Sequence, residues 1–243
     1  MVMRILLTND DSISSPVLKP LAQWLKQFGD VTVVVPKYEQ SGKSHGIEIH
    51  KAFEMLPVDD FLPDVKAYTV DSTPADCVRF AIEGMHMEFD FVVSGINRGL
   101  NIGIDMIYSG TVGAVFEAAC FGIPAVALST EPKTFDDALN SLDEVKAFFD
   151  KHELMKKNSL YNVNIPLASK GIRITRMGGR YYGDEFEPQE NNMYLPIGKD
   201  VWKDTGDYSI DTDAALNGYT SILPLTLDRT NMTVFQELAK LNQ

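Results

Sequence analysis

The chain has 243 residues, of which 44% are hydrophobic and 23% are charged, and its formal net charge is −12. This composition is typical of a globular protein, and the length is sufficient for one α/β domain with a large core. The acidic charge argues against long nucleic acids as partners, because a negative protein repels their phosphate backbone. A small anionic substrate stays compatible with this charge if a bound cation reverses the local field.

The sequence favours a cytoplasmic location without a membrane partner. It has two cysteines, Cys77 and Cys120, which is too few for a disulfide-stabilised secreted scaffold, and we expect both to be core thiols. The apolar run near the N-terminus ends at Thr8, too early for a signal-peptide core. No stretch approaches the ~20 apolar residues that a membrane span needs.

The first two thirds of the chain alternate between predicted strands and predicted helices. Residues 3–8 form an uninterrupted apolar run, residues 16–28 carry apolar side chains at helical spacing, and residues 31–35 are rich in valine. Strand, helix and strand in this order predict a βαβ unit of a parallel sheet. The next predicted elements are a strand at 67–70, a helix at 74–83 capped by Ser72 or Thr73, a strand at 89–93, a loop at 94–109, a helix at 112–121, a strand at 123–128 and a helix at 136–152.

After about residue 155 the pattern changes to short strands between Gly-rich and Asn-rich turns. Strands are predicted at 160–165, 172–177, 194–197 and 219–225, and a final helix at 234–241. The whole pattern predicts a doubly wound α/β fold with an antiparallel extension that reaches toward a neighbouring subunit.

Two adjacent carboxylates follow the first predicted strand, in the segment Asn9-Asp10-Asp11-Ser12. Ligands bind beyond the carboxyl ends of the strands in open α/β sheets, which is where this segment falls. Adjacent carboxylates repel each other unless a cation offsets their charge, and a hard ion such as Mg²⁺ or Mn²⁺ prefers oxygen ligands. The alternative, a solvated turn that contains two aspartates, has about equal weight for this segment alone.

A second polar loop, residues 36–45, follows the next strand and opens onto the same edge. Its Gly42-Lys43-Ser44 segment does not fit a P-loop, because Lys37 stands where the first glycine belongs and residues 46–50 look like a strand rather than a helix. Ser41 and Ser44 offer hydroxyl groups. An exposed, flexible turn is the alternative.

A third segment, residues 94–111, follows the strong strand at 89–93. Its glycines let a backbone approach a ligand closely, and Asn97 offers an amide oxygen to a metal. Ser109-Gly110-Thr111 precedes a predicted helix and suits a phosphate, although an ordinary capping turn explains these three residues equally well. The convergence of three loops on one sheet edge, rather than any single loop, indicates a site.

Other chemistries have less support. The four histidines (His45, His50, His86 and His152) lack zinc-like spacing. There is no Gly-x-Ser-x-Gly elbow, which argues against an acyl hydrolase.

These segments resemble the SurE family, the survival-protein-E type 5′-nucleotidases. The resemblance rests on MRILLTNDDS, QSGKSHGIEIH, DSTPADCVRFAI, VVSGINRGLNIGIDMIYSGTVGAVFEAACFGIPAVALS, YNVNIP and TDAALNGYTSILPLTLDRT, and it covers nearly the whole chain. Ser12 stands where many relatives have glycine, and residues 178–210 are divergent, which leaves the base preference open.

The resemblance implies a Rossmann-like α/β fold, with a mostly parallel sheet sandwiched by helices and a C-terminal β-hairpin and helix extension. Residues 1–155 would form the metal- and phosphate-binding core. Residues 156–243 would complete the core and supply oligomer contacts for a homodimer or homotetramer, without forming an independent domain.

The same resemblance implies hydrolysis of nucleoside 5′-monophosphates, with 3′-monophosphates and short polyphosphate as further substrates. It implies one divalent cation per subunit, Mg²⁺ or Mn²⁺, held by Asp10, Asp11, Ser41 and Asn97. We expect Asp10, Asp11 and Asn97 to be catalytic. The expected phosphate- and substrate-binding residues are Asn9, Ser41, Gly42, Ser44, Asn101, Ser109, Gly110 and Thr111.

Two rival functions can be weighed against this one. A haloacid-dehalogenase-type phosphatase also begins with aspartate after a strand, but its two aspartates are separated by one residue, whereas Asp10 and Asp11 are adjacent. A nucleotide-binding stress sensor without turnover would use the same pocket and act through partner contacts. The intact set of metal-binding residue types favours the enzyme.

Overall fold

A nine-stranded sheet forms the centre of the described part of the chain, residues 2–133 and 135–242 of a computed structural model. Its strands are β1 (Met3–Thr8), β2 (Gly29–Pro36), β3 (Met55–Pro57), β4 (Lys66–Val70), β5 (Phe91–Arg98), β6 (Ala125–Thr130), β7 (Leu160–Ile165), β8 (Ile172–Ile174) and β11 (Thr220–Pro224). Their order across the sheet is β3-β4-β2-β1-β5-β6-β7-β11-β8, and all neighbours are parallel except the pairs β3–β4 and β7–β11.

Helices cover both faces of this sheet. They are α1 (Leu18–Leu25), α2 (Pro74–Arg79), α3 (Gly110–Cys120), α4 (Asp136–Lys151), α5 (Leu154–Lys157) and α6 (Asp211–Leu216). Because side chains alternate along a strand, Ile5 and Leu7 of β1 pack toward α1 and α4, whereas Leu6 packs toward α2 and α3. Burial on both faces explains why β1 is a continuous apolar run. The predicted Rossmann-like α/β fold is confirmed.

The C-terminal extension is also confirmed. Strands β9 (Tyr182–Pro188) and β10 (Tyr194–Asp200) form a separate antiparallel hairpin, and the last helix is α7 (Met232–Leu238), followed by one 3-10 turn. Nearly every residue of the hairpin is exposed, as is every residue of α7. The division of the chain near residue 155 stays a prediction.

The predicted loop at 94–109 is wrong at its beginning, because β5 continues to Arg98. The pairing with β6 shifts register between Ser94 and Asn97, and Gly95 has a φ of 133°. A Cβ atom on Gly95 would lie 2.3 Å from the carbonyl oxygen of Leu128, so glycine is needed where the two strands pass this closely. Gly95 therefore belongs to an irregular strand, whereas Gly99 and Gly103 lie in the loop that follows it.

The strand predicted at 46–50 is also wrong. The backbone N–H of Glu48 donates to the Asp76 carboxylate at 2.7 Å, and the carbonyl of Gly46 accepts from the Thr73 hydroxyl at 2.6 Å. This segment is therefore held by side chains at the start of α2 and has no place in the sheet. Thr73 also caps α2, as expected, by accepting from the N–H of Asp76.

Smaller differences lie mostly in the C-terminal third of the chain. The strand predicted at 172–177 ends at Ile174, because the N–H of Arg176 donates to Ser209 instead of to a strand. Elements β3, α5, β9 and α6 were not predicted. β3, α5 and α6 have at most six residues each, and β9 is almost wholly exposed, so none has a strong hydrophobic period. Cys77 is buried as expected, but Cys120 is exposed, which corrects the prediction of two core thiols.

No helix in the described ranges is both long enough and apolar enough to cross a bilayer.

Substitution of Leu6 tests how strongly the packing of β1 stabilises the fold. Its side chain is fully buried between the sheet and the α2–α3 layer, so Leu6→Ala should lower the free energy of unfolding by about 2–5 kcal/mol through lost burial and a new cavity. Val2→Ala, at a residue that is 62% exposed, is the control and should change it by less than about 0.5 kcal/mol. Urea unfolding followed by circular dichroism measures both variants, and equal losses would contradict the assigned packing.

Candidate active site

The candidate site lies where the strand order reverses direction. From β1 the chain passes through α1 to β2 on one side, whereas β5 pairs with β1 on the other side. Such a switch point opens a crevice at the carboxyl ends of the strands, because the connections on its two sides run away from each other. The segment that follows β1 therefore points into a crevice.

Asp10 is buried at this point, with 3% of its surface exposed. One carboxylate oxygen accepts a hydrogen bond from the Thr111 hydroxyl at 2.6 Å, and the Asp10 carbonyl accepts from the N–H of Gln40 at 2.8 Å. Burial raises the pKa of Asp10 to about 6; the Thr111 hydrogen bond opposes this shift, and the charge of Asp11 adds to it. The carboxylate is thus held in place but is costly to ionise.

Asp11 lies beside it and is less buried. Its Oδ2 accepts from the backbone N–H of Arg98 at 3.1 Å, which ties the end of β1 to the end of β5. Desolvation raises the pKa of Asp11, the hydrogen bond from Arg98 opposes the shift, and the nearby charge of Glu39 raises it again. Desolvation is therefore the main reason why the pKa values of both Asp10 and Asp11 are raised.

A hard divalent cation fits this arrangement. Both carboxyl groups resist ionisation in the protein alone, and a bound cation would remove that penalty. The buried Oδ1 of Asn9 also lacks a hydrogen-bond partner among the described residues. The donors around the crevice are carboxylate, hydroxyl and amide oxygens, which are the ligands that Mg²⁺ and Mn²⁺ prefer.

A cleft of about 440 Å³ opens beside Asp10. Six residues predicted for the site line it: Asp10, Ser41, Gly42, Asn97, Asn101 and Ser109. The Asn97 amide is fixed by donating to the carbonyl of Gly99 at 2.8 Å, and the Ser41 hydroxyl donates to Glu39 at 2.7 Å. The structure therefore brings together residues from the three loops that the sequence singled out.

The other predicted residues lie around this cleft. Asn9 is fully buried behind it, and its amide donates to the carbonyl of Ser12 at 2.9 Å. Thr111 acts on Asp10 through its hydroxyl, and a Cβ atom on Gly110 would lie 3.2 Å from the Cβ of Asp10. The Ser44 hydroxyl instead donates to Ile107 at 2.7 Å, and Ser44 lines a neighbouring cavity.

Ser109 caps helix α3 beside the cleft. Its Oγ accepts from the N–H of Val112 at 3.2 Å, so the capping turn that the sequence allowed is present. The same geometry places the N-terminus of an eleven-residue helix next to Asp10. A helix N-terminus attracts anions through its free N–H groups and its dipole, so capping and phosphate binding are compatible roles.

One wall of the cleft comes from residues that the sequence did not indicate. Tyr181 and Tyr182, at the start of the hairpin, line it, and their ring centroids lie 4.2 Å apart. Asp105 holds both residues, since its Oδ2 accepts from their two backbone N–H groups at 2.7 Å each. Asp105 lies in the long segment 92–129 that resembles the SurE family, but nothing in the sequence connects it to tyrosines more than 70 residues away.

A second buried carboxylate fastens the same region. Asp211 accepts from the N–H of Gly103 at 2.9 Å and from the N–H of Gly178 at 2.7 Å. Burial raises the pKa of Asp211, and these hydrogen bonds oppose the shift. The loop after β5 is thereby tied to the segment that leads into the hairpin.

Comparisons with known proteins show the family of the chain. The family model described as survival protein SurE matches residues 5–184. A protein of Caldanaerobacter subterraneus subsp. tengcongensis, described as 5′-nucleotidase SurE, is 40% identical, and the match covers 97% of this chain and 96% of the relative. The chain belongs to the SurE family.

Other members of the SurE family support this assignment. A relative from Alkaliphilus metalliredigens with the same description is 36% identical, and the match covers 99% of each chain. The crystal structure of the SurE protein from Aquifex aeolicus superposes with a TM-score of 0.77 at 32% identity, covering 99% of this chain and 100% of that one. The fold seen here is therefore the fold of a SurE protein.

The raised pKa of Asp10 predicts a stability effect. Between an unfolded pKa of 3.8 and a folded pKa of about 6, the metal-free folded protein holds a proton that the unfolded chain has lost, so ionised Asp10 costs stability above that range. Asp10→Asn should then raise the free energy of unfolding at pH 7.5 in chelator by about 1–3 kcal/mol, at about 1.4 kcal/mol for each pKa unit. Below pH 4 the gain should vanish.

Urea unfolding at the two pH values measures this difference. Asp59→Asn, at an exposed loop residue, is the matched control and should leave stability unchanged. A loss of stability in Asp10→Asn at pH 7.5 would show that the carboxylate is not penalised as described.

Proposed function

We propose that this SurE-family protein is a metal-dependent phosphatase that converts nucleoside 5′-monophosphates to nucleoside and phosphate. The observation that carries the proposal is the buried carboxyl group of Asp10, next to Asp11, at the switch point of the sheet. The relatives named 5′-nucleotidase SurE support the substrate class. Nucleoside 3′-monophosphates and short polyphosphate are proposed as further substrates.

The proposed cofactor is one Mg²⁺ or Mn²⁺ ion per subunit. Asp10, Asp11, Ser41 and Asn97 would hold it. When bound, the ion supplies positive charge that offsets the negative charge of the phosphoryl group. The support is the oxygen donor set and the cost of ionising the two carboxyl groups without a cation.

The side chains and backbone of the chain would bind and orient the substrate. The N-terminus of α3, at Ser109, Gly110 and Thr111, would hold phosphate oxygens through N–H groups and hydroxyls. The Thr111 hydroxyl keeps Asp10 oriented toward the cleft. The rest of the 440 Å³ cleft, bounded by Tyr181 and Tyr182, is large enough for a nucleoside.

Asp10 has two proposed chemical roles, as nucleophile or as base for an attacking water. The two differ in whether phosphate becomes attached to the protein. Labelled phosphate that stays on the protein after acid quenching would assign Asp10 as the nucleophile. Release of all label as free phosphate at every time point would assign it as the base.

Phosphate release from AMP and GMP with added Mn²⁺ tests the proposal. Activity should disappear with excess chelator and return with metal, and Asp10→Asn should lower it by at least about 100-fold, because it removes a charge that holds the ion. Asp59→Asn is again the control and should keep full activity. Near-normal turnover by Asp10→Asn, or turnover in chelator, would contradict the assigned role.

The same substrate panel separates the enzyme from a nucleotide-binding sensor. Calorimetric binding of AMP without phosphate release under any divalent ion would support the sensor. Adding 3′-AMP and short polyphosphate to the panel tests the wider range of substrates.

We further propose a homodimer or homotetramer formed through the C-terminal extension. Large apolar side chains are exposed along it: Met232, Val234, Phe235, Leu238 and Leu241. An amphipathic segment whose apolar side chains lie in solvent is typical of a surface that another chain covers. We also propose a cytoplasmic location, which the two free cysteines support.

Charge on the last helix should therefore disrupt assembly. The double substitution Phe235→Asp and Leu238→Asp should lower the molar mass measured by light scattering, because it places carboxylates in the apolar contact. Gln236→Glu on the same helix is the control and should leave the mass unchanged. A wild-type protein that is monomeric throughout would contradict this assembly.

A further inference from the structure

A second group of metal-binding side chains lies outside the proposed active site. Glu117 and Cys120 are three residues apart on α3, so they share one face of the helix. His45 reaches them from the loop after β2, with its Nε2 2.6 Å from Oε2 of Glu117. One ligand atom from each of the three residues lies within 4.8 Å of the other two.

We propose that His45, Glu117 and Cys120 bind a thiophilic divalent cation of the Zn²⁺ class. Nitrogen, oxygen and sulfur donors together are typical of zinc sites, whereas Mg²⁺ and Mn²⁺ prefer oxygen alone. Three protein ligands leave a fourth tetrahedral position, and the exposure of Cys120 leaves it open to solvent. The group shares no residue with the oxygen-lined pocket around Asp10.

The histidine spacing gave no sign of this site, because its ligands do not form a zinc motif along the chain. His45 and Glu117 are 72 residues apart in sequence and meet only because the loop after β2 packs on α3. Cys120 completes the group because it is exposed beside them rather than buried in the core.

The surrounding structure restrains the loop that carries His45 and buries Glu117 before any ion binds. The backbone at Ser44 is fixed by its N–H, which donates to Tyr108 at 2.9 Å. A Cβ atom on Gly113 would lie 2.2 Å from the carbonyl oxygen of Ser44, so the loop packs directly against Gly113 of α3. Glu117 is itself buried, with 8% of its surface exposed. Preorganised ligands lower the cost of binding.

Only a small adjustment is needed to admit an ion. Zinc bonds to nitrogen and oxygen are about 2.0–2.2 Å long, so a tetrahedral ion requires roughly 3.3 Å between Nε2 of His45 and Oε2 of Glu117. The present contact of 2.6 Å would have to lengthen by roughly 0.7 Å, and the Cys120 sulfur, within 4.8 Å of the other two ligand atoms, would have to move inward to reach the same ion. Binding would replace the hydrogen bond between the two residues with two metal bonds. The proton of that hydrogen bond would move to Nδ1 of His45, and the thiol proton of Cys120 would be released to solvent.

Cobalt binding tests the site through the sulfur ligand. Full-length protein, kept reduced with a phosphine that does not bind metal, is titrated with Co²⁺ and its absorption spectrum recorded. A Co²⁺–thiolate bond gives a charge-transfer band in the near ultraviolet, which an oxygen-only site cannot give. We expect this band in the wild type, and we expect added Zn²⁺ to abolish it.

Matched variants assign the band to this group. Cys120→Ser should remove it, and Glu117→Gln should weaken Zn²⁺ binding at least about tenfold. Cys77→Ala is the control for the other thiol, and Asp10→Asn is the control for the oxygen-lined pocket; both should keep the band. Circular dichroism confirms that each variant is folded.

The outcomes decide the proposal without reference to turnover. No band in the folded wild type, or a band that survives Cys120→Ser, would overturn the site and leave an ordinary His45–Glu117 hydrogen bond beside a surface thiol. Loss of the band in Cys77→Ala would overturn it as well. Because the readout is spectroscopic, failure of AMP hydrolysis leaves this result unaffected.

Discussion

The cost of burying the carboxyl group of Asp10 shapes the whole site. Its position is dictated by β1, whose apolar residues bury the strand on both faces and carry the segment after it into the crevice. There the carboxyl group accepts a hydrogen bond from the Thr111 hydroxyl and lies next to a second carboxyl group. The desolvation that raises its pKa therefore exceeds the effect of the hydrogen bond that lowers it. A protein that keeps such an arrangement retains local instability that a bound cation can relieve.

The parallel sheet explains how distant segments meet at this point. Ser41 lies in the loop after β2, Asn97 lies near the end of β5, and Thr111 lies in the first turn of α3. Ser41 and Asn97 line the crevice and Thr111 contacts Asp10 beside it, because the strands end at one edge. The sheet supplies rigidity that loops alone would lack, since a metal site depends on distances held to a fraction of an ångström. Loop and helix residues then contribute different atoms: hydroxyl, amide and backbone N–H.

Much of this arrangement was predictable, and the failures have identifiable causes. Strands β1, β2 and β6 are buried on both faces over most of their length, so their apolar runs are unambiguous. The end of β5 was mistaken for a loop because Gly95 serves a close strand contact there. The convergence of three loops followed from topology, but which oxygen points where did not, as the outward turn of the Ser44 hydroxyl shows.

Features that depend on contacts distant in sequence were the hardest to predict. Tyr181 and Tyr182 enter the cleft because Asp105 binds their backbone, and their own side chains give no signal of that contact. The meeting of His45 with Glu117 is a similar case. A pattern along the chain reports which face of an element is buried; it does not report which partner covers that face.

The attachment of the hairpin through Asp105 and Asp211 separates two properties of the cleft. One end, around Asp10, is built on the rigid sheet, and the other, around the paired tyrosines, is carried by an exposed appendage held at a few backbone groups. Under the proposed function, changes in the appendage would alter which molecules the cleft accepts while the end around Asp10 keeps its geometry. In evolutionary terms, such a division would let the proposed selectivity drift while the proposed chemistry is retained.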